Sequence, residues 1–277
     1  MINAKRLDVI ERTVQARDLS ARRDRTVRIL AERPDRMFEG LKLDRDVWQV
    51  DLIRRLGGLD GPAPKKVVAA CARQVGKSTT LAVFAAWVMM TRGEVVALSA
   101  PAFRQSLELA KRIRGYLKRF NVVTVTRDSA TDIMLANGGR LIVLPSQGAT
   151  ARGFTVNWLL VDEAGYLSEE TDLFEALSPA LALADGSIVL SSSPGPCSGT
   201  MFSAWNSPHW HKVRVRAAEC HRISPEFLES QRELLTPEAY NREYEALFVE
   251  SGGKLISAES LAACIDSDPN PDWIRFD

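Results

Sequence analysis

The sequence has no long apolar run. Its longest strongly apolar stretch, residues 81–90, is about half of the roughly 20 residues that a bilayer-crossing helix needs. A helical membrane span is therefore excluded. The N-terminal residues break their apolar positions with Asp8 and Glu11, so no secretory signal is read and the cytosol is the expected compartment. Cysteine is scarce. Cys71, Cys197, Cys220 and Cys264 lie far apart with no CxxC pair, which rules out a disulfide framework and leaves free thiols as the expectation. A zinc site from Cys197, His209, His211, Cys220 and His221 is the weaker reading, because the spacing is too loose for tight zinc ligation. Internal repeats and low-complexity segments are missing as well, which excludes solenoid and fibrous classes. An excess of charge of one sign is also lacking, with 36 basic against 35 acidic residues. The chain as a whole is thus no general polyanion binder. The charges are nevertheless clustered. Residues 1–36 carry ten Lys/Arg against six acids, residues 104–119 six against one, and residues 162–175 six acids and no base.

The 45% hydrophobic content is ample for a globular core. From residue 66 short β-branched runs alternate with helical stretches. Strands are expected at 67–71, 95–99, 122–126, 140–144, 158–162 and 188–192, and helices at 77–91, 102–120 and 173–183. Near-continuous apolar strands alternating with helices predict an α/β fold with a mainly parallel sheet covered on both faces. Residues 131–135 and Asn137-Gly138-Gly139 suggest an added hairpin. Upstream, one or two charged helices fill the first forty residues, and residues 46–56 form another that stops at Gly57-Gly58. Downstream, 211–217 reads as one more strand, and 224–248 as helices started by Ser224-Pro225 and Thr236-Pro237.

Three segments carry chemistry. Cys71-Ala-Arg-Gln-Val-Gly-Lys-Ser78 follows an apolar strand and opens a helix, the context a phosphate loop requires. Backbone N–H groups there can wrap phosphates at a helix N-terminus. Gly76 allows close approach, Lys77 supplies charge, and Ser78 offers a hydroxyl to Mg²⁺. Arg73, Gln74, Val75 and Thr79 complete the nucleotide-binding set. The spacing is that of the Walker A motif, except that Cys71 stands where glycine is usual. Second, the apolar strand 158–162 ends in Asp162-Glu163, the form of a Walker B segment, at the sheet edge where α/β proteins bind ligands. Asp162 would hold Mg²⁺ and Glu163 would activate the attacking water. Third, Ser191, Ser192, Ser193, Pro194 and Gly195 close another apolar strand. They form either a plain turn or a device sensitive to the γ-phosphate.

In this order and spacing, Arg73-Gln-Val-Gly-Lys-Ser, Leu160-Val-Asp-Glu-Ala and Ser193-Pro-Gly resemble the large terminase subunit of tailed bacteriophages, over roughly residues 47–253. That family often lacks the first Walker A glycine and carries an arginine inside the loop. The resemblance implies a P-loop NTPase of the type with an additional strand and a catalytic glutamate, with a small helical lid. The implied division is an N-terminal helical segment (1–45), an ATPase core (46–202), a lid (203–250) and the start of a linker (251–277) toward a nuclease domain. The expected activity is ATP hydrolysis with Mg²⁺, driving double-stranded DNA into a procapsid. The implied partners are the portal protein, the small terminase subunit and further copies in a ring, in the host cytoplasm and transiently at the portal vertex. Segment 191–195 becomes the coupling motif. Gln49, beside Trp48, resembles the adenine-reading glutamine, whose amide can both donate and accept; ordinary helix packing is the competing reading. Arg152 resembles an arginine finger reaching a neighbouring subunit, against a surface or cis role. Arg73 would touch the γ-phosphate or hold Glu163. The terminal Asp266, Asp268, Asp272 and Asp277 receive no catalytic role, and no nuclease activity is expected.

The basic helix 102–120 is read as a solvated face or as a phosphate-backbone contact. Two other functions remain open. A superfamily 2-like helicase or translocase would need a second motor domain. A nucleotide-gated assembly protein would not need the intact Lys77, Ser78, Asp162 and Glu163.

Overall fold

The computed structural model describes residues 4–146, 155–168 and 173–249. In chain order the elements are α1 (Ala4–Glu32), α2 (Asp35–Leu41), α3 (Val47–Leu56), β1 (Lys66–Cys71), α4 (Lys77–Arg92), β2 (Val95–Ser99), α5 (Phe103–Phe120), β3 (Val125–Asp128), β4 (Asp132–Leu135), β5 (Arg140–Val143), β6 (Trp158–Asp162), α6 (Leu173–Leu183), β7 (Ser187–Ser192), α7 (Gly199–Asn206), β8 (His211–Val215), α8 (Pro225–Leu234) and α9 (Pro237–Glu243). The strands form one sheet in the order β3-β4-β5-β2-β6-β7-β1-β8. Every neighbouring pair from β5 to β8 is parallel, while β4 runs antiparallel to both β3 and β5.

Parallel strands need both faces covered, and alternate residues divide accordingly. Val67, Leu98, Leu141 and Leu160 face a core made with α4 and α5, whereas Val68, Ala97, Leu159 and Leu190 face one made with α6 and α7. The run from Leu81 to Met90 is apolar around its whole circumference, and α4 is correspondingly enclosed. Trp87 is fully buried and donates its indole N–H to the Leu30 carbonyl at 2.6 Å, pinning the end of α1 to α4. Phe84 meets Trp158 of β6 edge-on at 4.7 Å, an orientation the ring quadrupoles favour. α4 thereby fixes its own N-terminus, where the phosphate loop ends, relative to the strand that ends in Asp162.

Two expectations need correction. The strand expected at 122–126 begins later, at Val125, and pairs only with β4. Val122 and Val123 instead pack against the core, after Asn121 ends α5 in a left-handed turn, and Asp128 is tied to Arg114 and Lys118 of α5. The Asn-Gly hairpin is present, with a further role: Asn137 donates to the carbonyls of Met89 and Met90 at 2.9 and 3.0 Å, capping the end of α4. Segment 203–250, expected as a helical lid, contributes β8 to the main sheet, with Val67 to Cys71 of β1 paired in parallel to His211 to Val215. The alternation His-Lys-Val-Arg-Val suits a half-exposed edge strand. Helices α8 and α9 follow, each started by a hydroxyl cap, Ser224 and Thr236, ahead of proline.

Among the described residues no group of His, Cys, Asp and Glu is arranged to hold a metal ion, so the zinc reading is dropped. His221 instead pairs with Asp44 and Asp46, and Cys220 is buried beneath the loop after β1. No described helix is long and apolar enough to cross a membrane.

Candidate active site

The parallel register brings the chemical segments to one sheet edge. Ala70 of β1 lies beside Ser192 of β7, and Ser191 lies beside Asp162 of β6. The loop between β1 and α4 takes left-handed backbone at Gln74 (φ 61°) and Gly76 (φ 96°). A Cβ at Gly76 would lie 2.8 Å from Gln49 Nε2, so both space and backbone demand glycine there. Cys71, in place of the usual first glycine, is fully buried, and burial pushes its thiol up to about 12, so it stays protonated.

Across the loop Lys77 Nζ lies 2.8 Å from Glu163 Oε1, and Ser78 Oγ donates to Asp162 Oδ2 at 2.6 Å. Burial opposes the Lys77 charge, but Glu163 and Asp162 outweigh it and hold the ammonium above its ordinary pKa. Burial pushes the Asp162 carboxyl up, against the Ser78 hydroxyl and the Lys77 charge. Glu163 sits at φ 55°, an uncommon conformation for a residue with a side chain, and strain of this kind concentrates at functional sites. Its Oε2 accepts from Ser192 Oγ at 3.2 Å. A cleft of about 540 Å³ opens beside Lys77 and Glu163, walled by Arg73, Gln105, Tyr166 and Ser193. A second hollow of about 260 Å³ joins Ser78, Asp162 and Glu163 to Arg104 and Arg112 of α5.

Residues 69–263 match the family model described as terminase large subunit, T4likevirus-type, N-terminal. The chain belongs to this terminase family. Solved terminases share its P-loop NTPase fold. The large terminase ATPase domain of Thermus phage P74-26 is 18% identical with a TM-score of 0.58, over 78% of this chain and 98% of that one. The large terminase of a thermophilic bacteriophage, in complex with ADP, is 11% identical with a TM-score of 0.58, and that of bacteriophage HK97 is 15% identical with a TM-score of 0.55. Each of these two likenesses spans 74% of this chain, but only 54% and 51% of the other protein, about half its length. No curated protein matches in sequence.

Several terminase-type residues sit differently from the simplest expectation. Arg73 pairs with the carboxylate of Glu243 in α9, and its backbone N–H donates to the Glu243 carbonyl at 2.9 Å, so it walls the cleft from the Glu243 side rather than holding Glu163. Gln49 is fully buried with both ends of its amide engaged: Oε1 accepts from the Asp46 N–H at 2.9 Å, and Nε2 donates to Thr80 Oγ1 at 2.9 Å and the Gly76 carbonyl at 3.3 Å. Trp48 lines a separate hollow with Asp51, Arg55 and Val213, away from Lys77. Thr79 accepts from Arg112 at 3.3 Å. Ser191, Ser192 and Ser193 are buried, and the loop through Pro194 to Gly195 packs on the turn after Glu163. A Cβ at Gly165 would lie 2.9 Å from the Ser193 carbonyl oxygen and 3.0 Å from Ser192 Oγ. Arg152 and residues 251–277 lie outside the described residues.

The residues that sequence reasoning missed are Gln105, Tyr166, Asp46, Arg222 and Glu243, and the place of Arg104 and Arg112 in the hollow beside Ser78 and Asp162. Arg104 and Arg112 lie eight residues apart in α5, on one helical face, which was a legible signal. Arg222 and Glu243 carry no motif.

Proposed function

We propose that the chain is the ATP-hydrolysing motor module of a phage DNA-packaging terminase. The observation that carries this reading is the meeting of Lys77 and Ser78 with Glu163 and Asp162, segments 84 residues apart for the Ser78–Asp162 bond. The donor set suits a triphosphate with a hard divalent ion. A hydroxyl and a buried carboxylate oxygen lie 2.6 Å apart, an ammonium stands beside them, and glycine keeps the loop open. The terminase of the thermophilic bacteriophage, solved with ADP and with ATP-gamma-S, supports nucleotide binding by the same fold.

Ser78 and Asp162 would hold magnesium, which when bound neutralises charge on the phosphates. Lys77 binds β- and γ-phosphate oxygens. It cannot serve these and Glu163 at full strength together, so phosphate binding frees Glu163 Oε1 to face a water. Glu163 orients that water and takes its proton while the water oxygen bonds to the γ-phosphorus and the bond to the ADP oxygen breaks. Ser192 keeps Oε2 in place, and through Ser193, Pro194 and Gly195 a change at Glu163 reaches the rest of the fold. Arg73 leaves Glu243 to join the phosphates, and Arg152 acts on a neighbouring copy in a ring. Gln49 reads the adenine edge once its internal bonds open, with Trp48 behind it. The work drives double-stranded DNA through the portal protein, with the small terminase subunit as partner, in the host cytoplasm and at the portal vertex.

Phosphate release from MgATP at high protein concentration, with and without DNA, tests this. Lys77→Ala should slow release by on the order of a hundredfold or more. Wild-type protein that releases no phosphate under either condition overturns the reading.

A further inference from the structure

The phosphate loop is also gripped from outside, by a segment that the proposed reaction leaves unused. Beyond β8 the chain turns through residues 217–223, and Arg222 reaches back to the loop. Its Nη2 donates to the Val75 carbonyl at 3.0 Å and to Asp46 Oδ2 at 2.6 Å. Asp46 is a firm mount: its side chain is 2% exposed, and its Oδ1 also accepts from the His221 backbone N–H at 3.1 Å. Gln49, tied to the Asp46 N–H, donates to the next carbonyl, that of Gly76.

Peptide planarity gives these bonds a consequence. In a trans peptide the C=O and the following N–H point in opposite directions. Holding the Val75 carbonyl outward therefore aims the Gly76 N–H inward. The Gly76 carbonyl needs no such outside partner, because the Thr80 N–H of α4 already donates to it at 2.9 Å. Gly76 has no Cβ and sits at φ 96°, so its own backbone preference fixes neither direction. The aim of the first phosphate-facing N–H must come from a partner outside the loop, and Arg222 is the charged one.

Resting on the nucleotide-binding reading above, we infer that Arg222 is a positioning residue for phosphate binding, which holds the Val75 carbonyl so that the Gly76 N–H faces the phosphates. Its effect falls on the phosphate part of any ligand and is blind to the base.

The test measures dissociation constants for MgADP and for magnesium tripolyphosphate by calorimetry, with KM and kcat for MgATP. Arg222→Met should weaken both probes by about tenfold, the size of one charged hydrogen bond, and raise KM while changing kcat much less. Arg222→Lys, which still donates, should recover most of the loss. Arg222→Gln, shorter and uncharged, gives the same reading if the Met variant does not fold. Arg214→Met is the control. Arg214 donates to the Glu245 carbonyl and ties β8 to the chain just after α9 without touching the loop, so its loss should leave both constants unchanged. The inference fails if Arg222→Met binds both probes as wild type does, if Arg214→Met weakens them equally, or if only MgADP binding suffers. Wild-type protein that binds neither probe removes the nucleotide reading itself, and this inference with it.

Discussion

The phosphate loop is held on two sides, and the two sides are built differently. On the inner side its partners stand at the ends of β6 and β7, where sheet register alone sets Asp162 beside Ser191 and Ala70 beside Ser192. On the outer side they are single side chains, Arg222 and Glu243, carried by a turn and by short helices. Of these helices α8 buries no residue fully, and α9 buries only Tyr240 and Glu243. The inner side inherits the stability of a sheet enclosed on both faces. The outer side adds only a small apolar cluster, Cys71, Ala72 and Val75 against Val215, Ala217 and Cys220, and is the part able to open at lower cost than the sheet. The proposed motor role needs both: a rigid place for the chemistry and a more loosely held element that the chemistry can displace.

The largest expected effect breaks the inner side. Glu163→Gln keeps the shape of the side chain and removes its basicity. Hydrolysis should fall by about 10²–10⁴, the usual contribution of a general base, while MgATP still binds. Binding should even tighten, because Lys77 no longer has a carboxylate competing with the phosphates. Single-turnover phosphate release with a parallel binding titration checks both halves; near-normal hydrolysis would assign the water-activating role elsewhere.

A smaller effect is expected where the inner side meets the segment leaving it. At Gly165 an added Cβ would press on the Ser193 carbonyl, Ser192 Oγ and the Gly195 N–H, the last at 3.1 Å. Two of these are backbone atoms that cannot rotate away. Gly165→Ala should therefore cost about 1–3 kcal/mol of stability, in the range of other overpacked sites. Hydrolysis should slow as well, because the Ser192 bond to Glu163 shifts. Urea unfolding together with phosphate release tests the pair. A destabilised variant with an unchanged rate would separate the packing of this loop from the placement of Glu163.

This same division decided what could be read from the sequence. Strand β1, the Gly76-Lys77-Ser78 corner and Asp162-Glu163 at the end of β6 are contiguous patterns, and a parallel sheet leaves only one edge for them to share. β3 was misplaced because Val122 and Val123 look like strand residues yet serve the core, while charged Arg127 and Asp128 form the strand through pairs with Asp132 and α5. Glu243 and Arg222 were invisible for another reason: each matters only through tertiary contacts, and neither its neighbours nor its spacing differs from an ordinary surface helix or turn. Gln49 was legible as important, and its capping bond to Asp46 follows a local Asp-x-x-Gln pattern at the start of α3; the bond to Thr80 depends on where α3 docks, which no local pattern states.

The smallest effect probes the outer side through pH. The His221 imidazole faces Asp44 at 2.8 Å and Asp46 at 2.5 Å, with Arg222 on the far oxygen of Asp46. Hydrogen bonds to Asp44 and then Asp46 raise its pKa above the ordinary 6.5. A raised folded-state value means the folded protein holds the proton more tightly than the unfolded chain. The stabilisation is therefore complete below 6.5 and is lost as pH climbs through the higher folded-state value. The imidazole is exposed, so solvent and salt screen the gain and the effect is small. Wild type should melt slightly higher than His221→Gln below pH 6.5, with the gap closing as the pH is raised through the folded-state value. Raising the salt concentration should shrink the gap at the acidic end. A gap that stays constant across this range would mean that His221 docks the turn by shape alone, and the outer side would then be insensitive to protons.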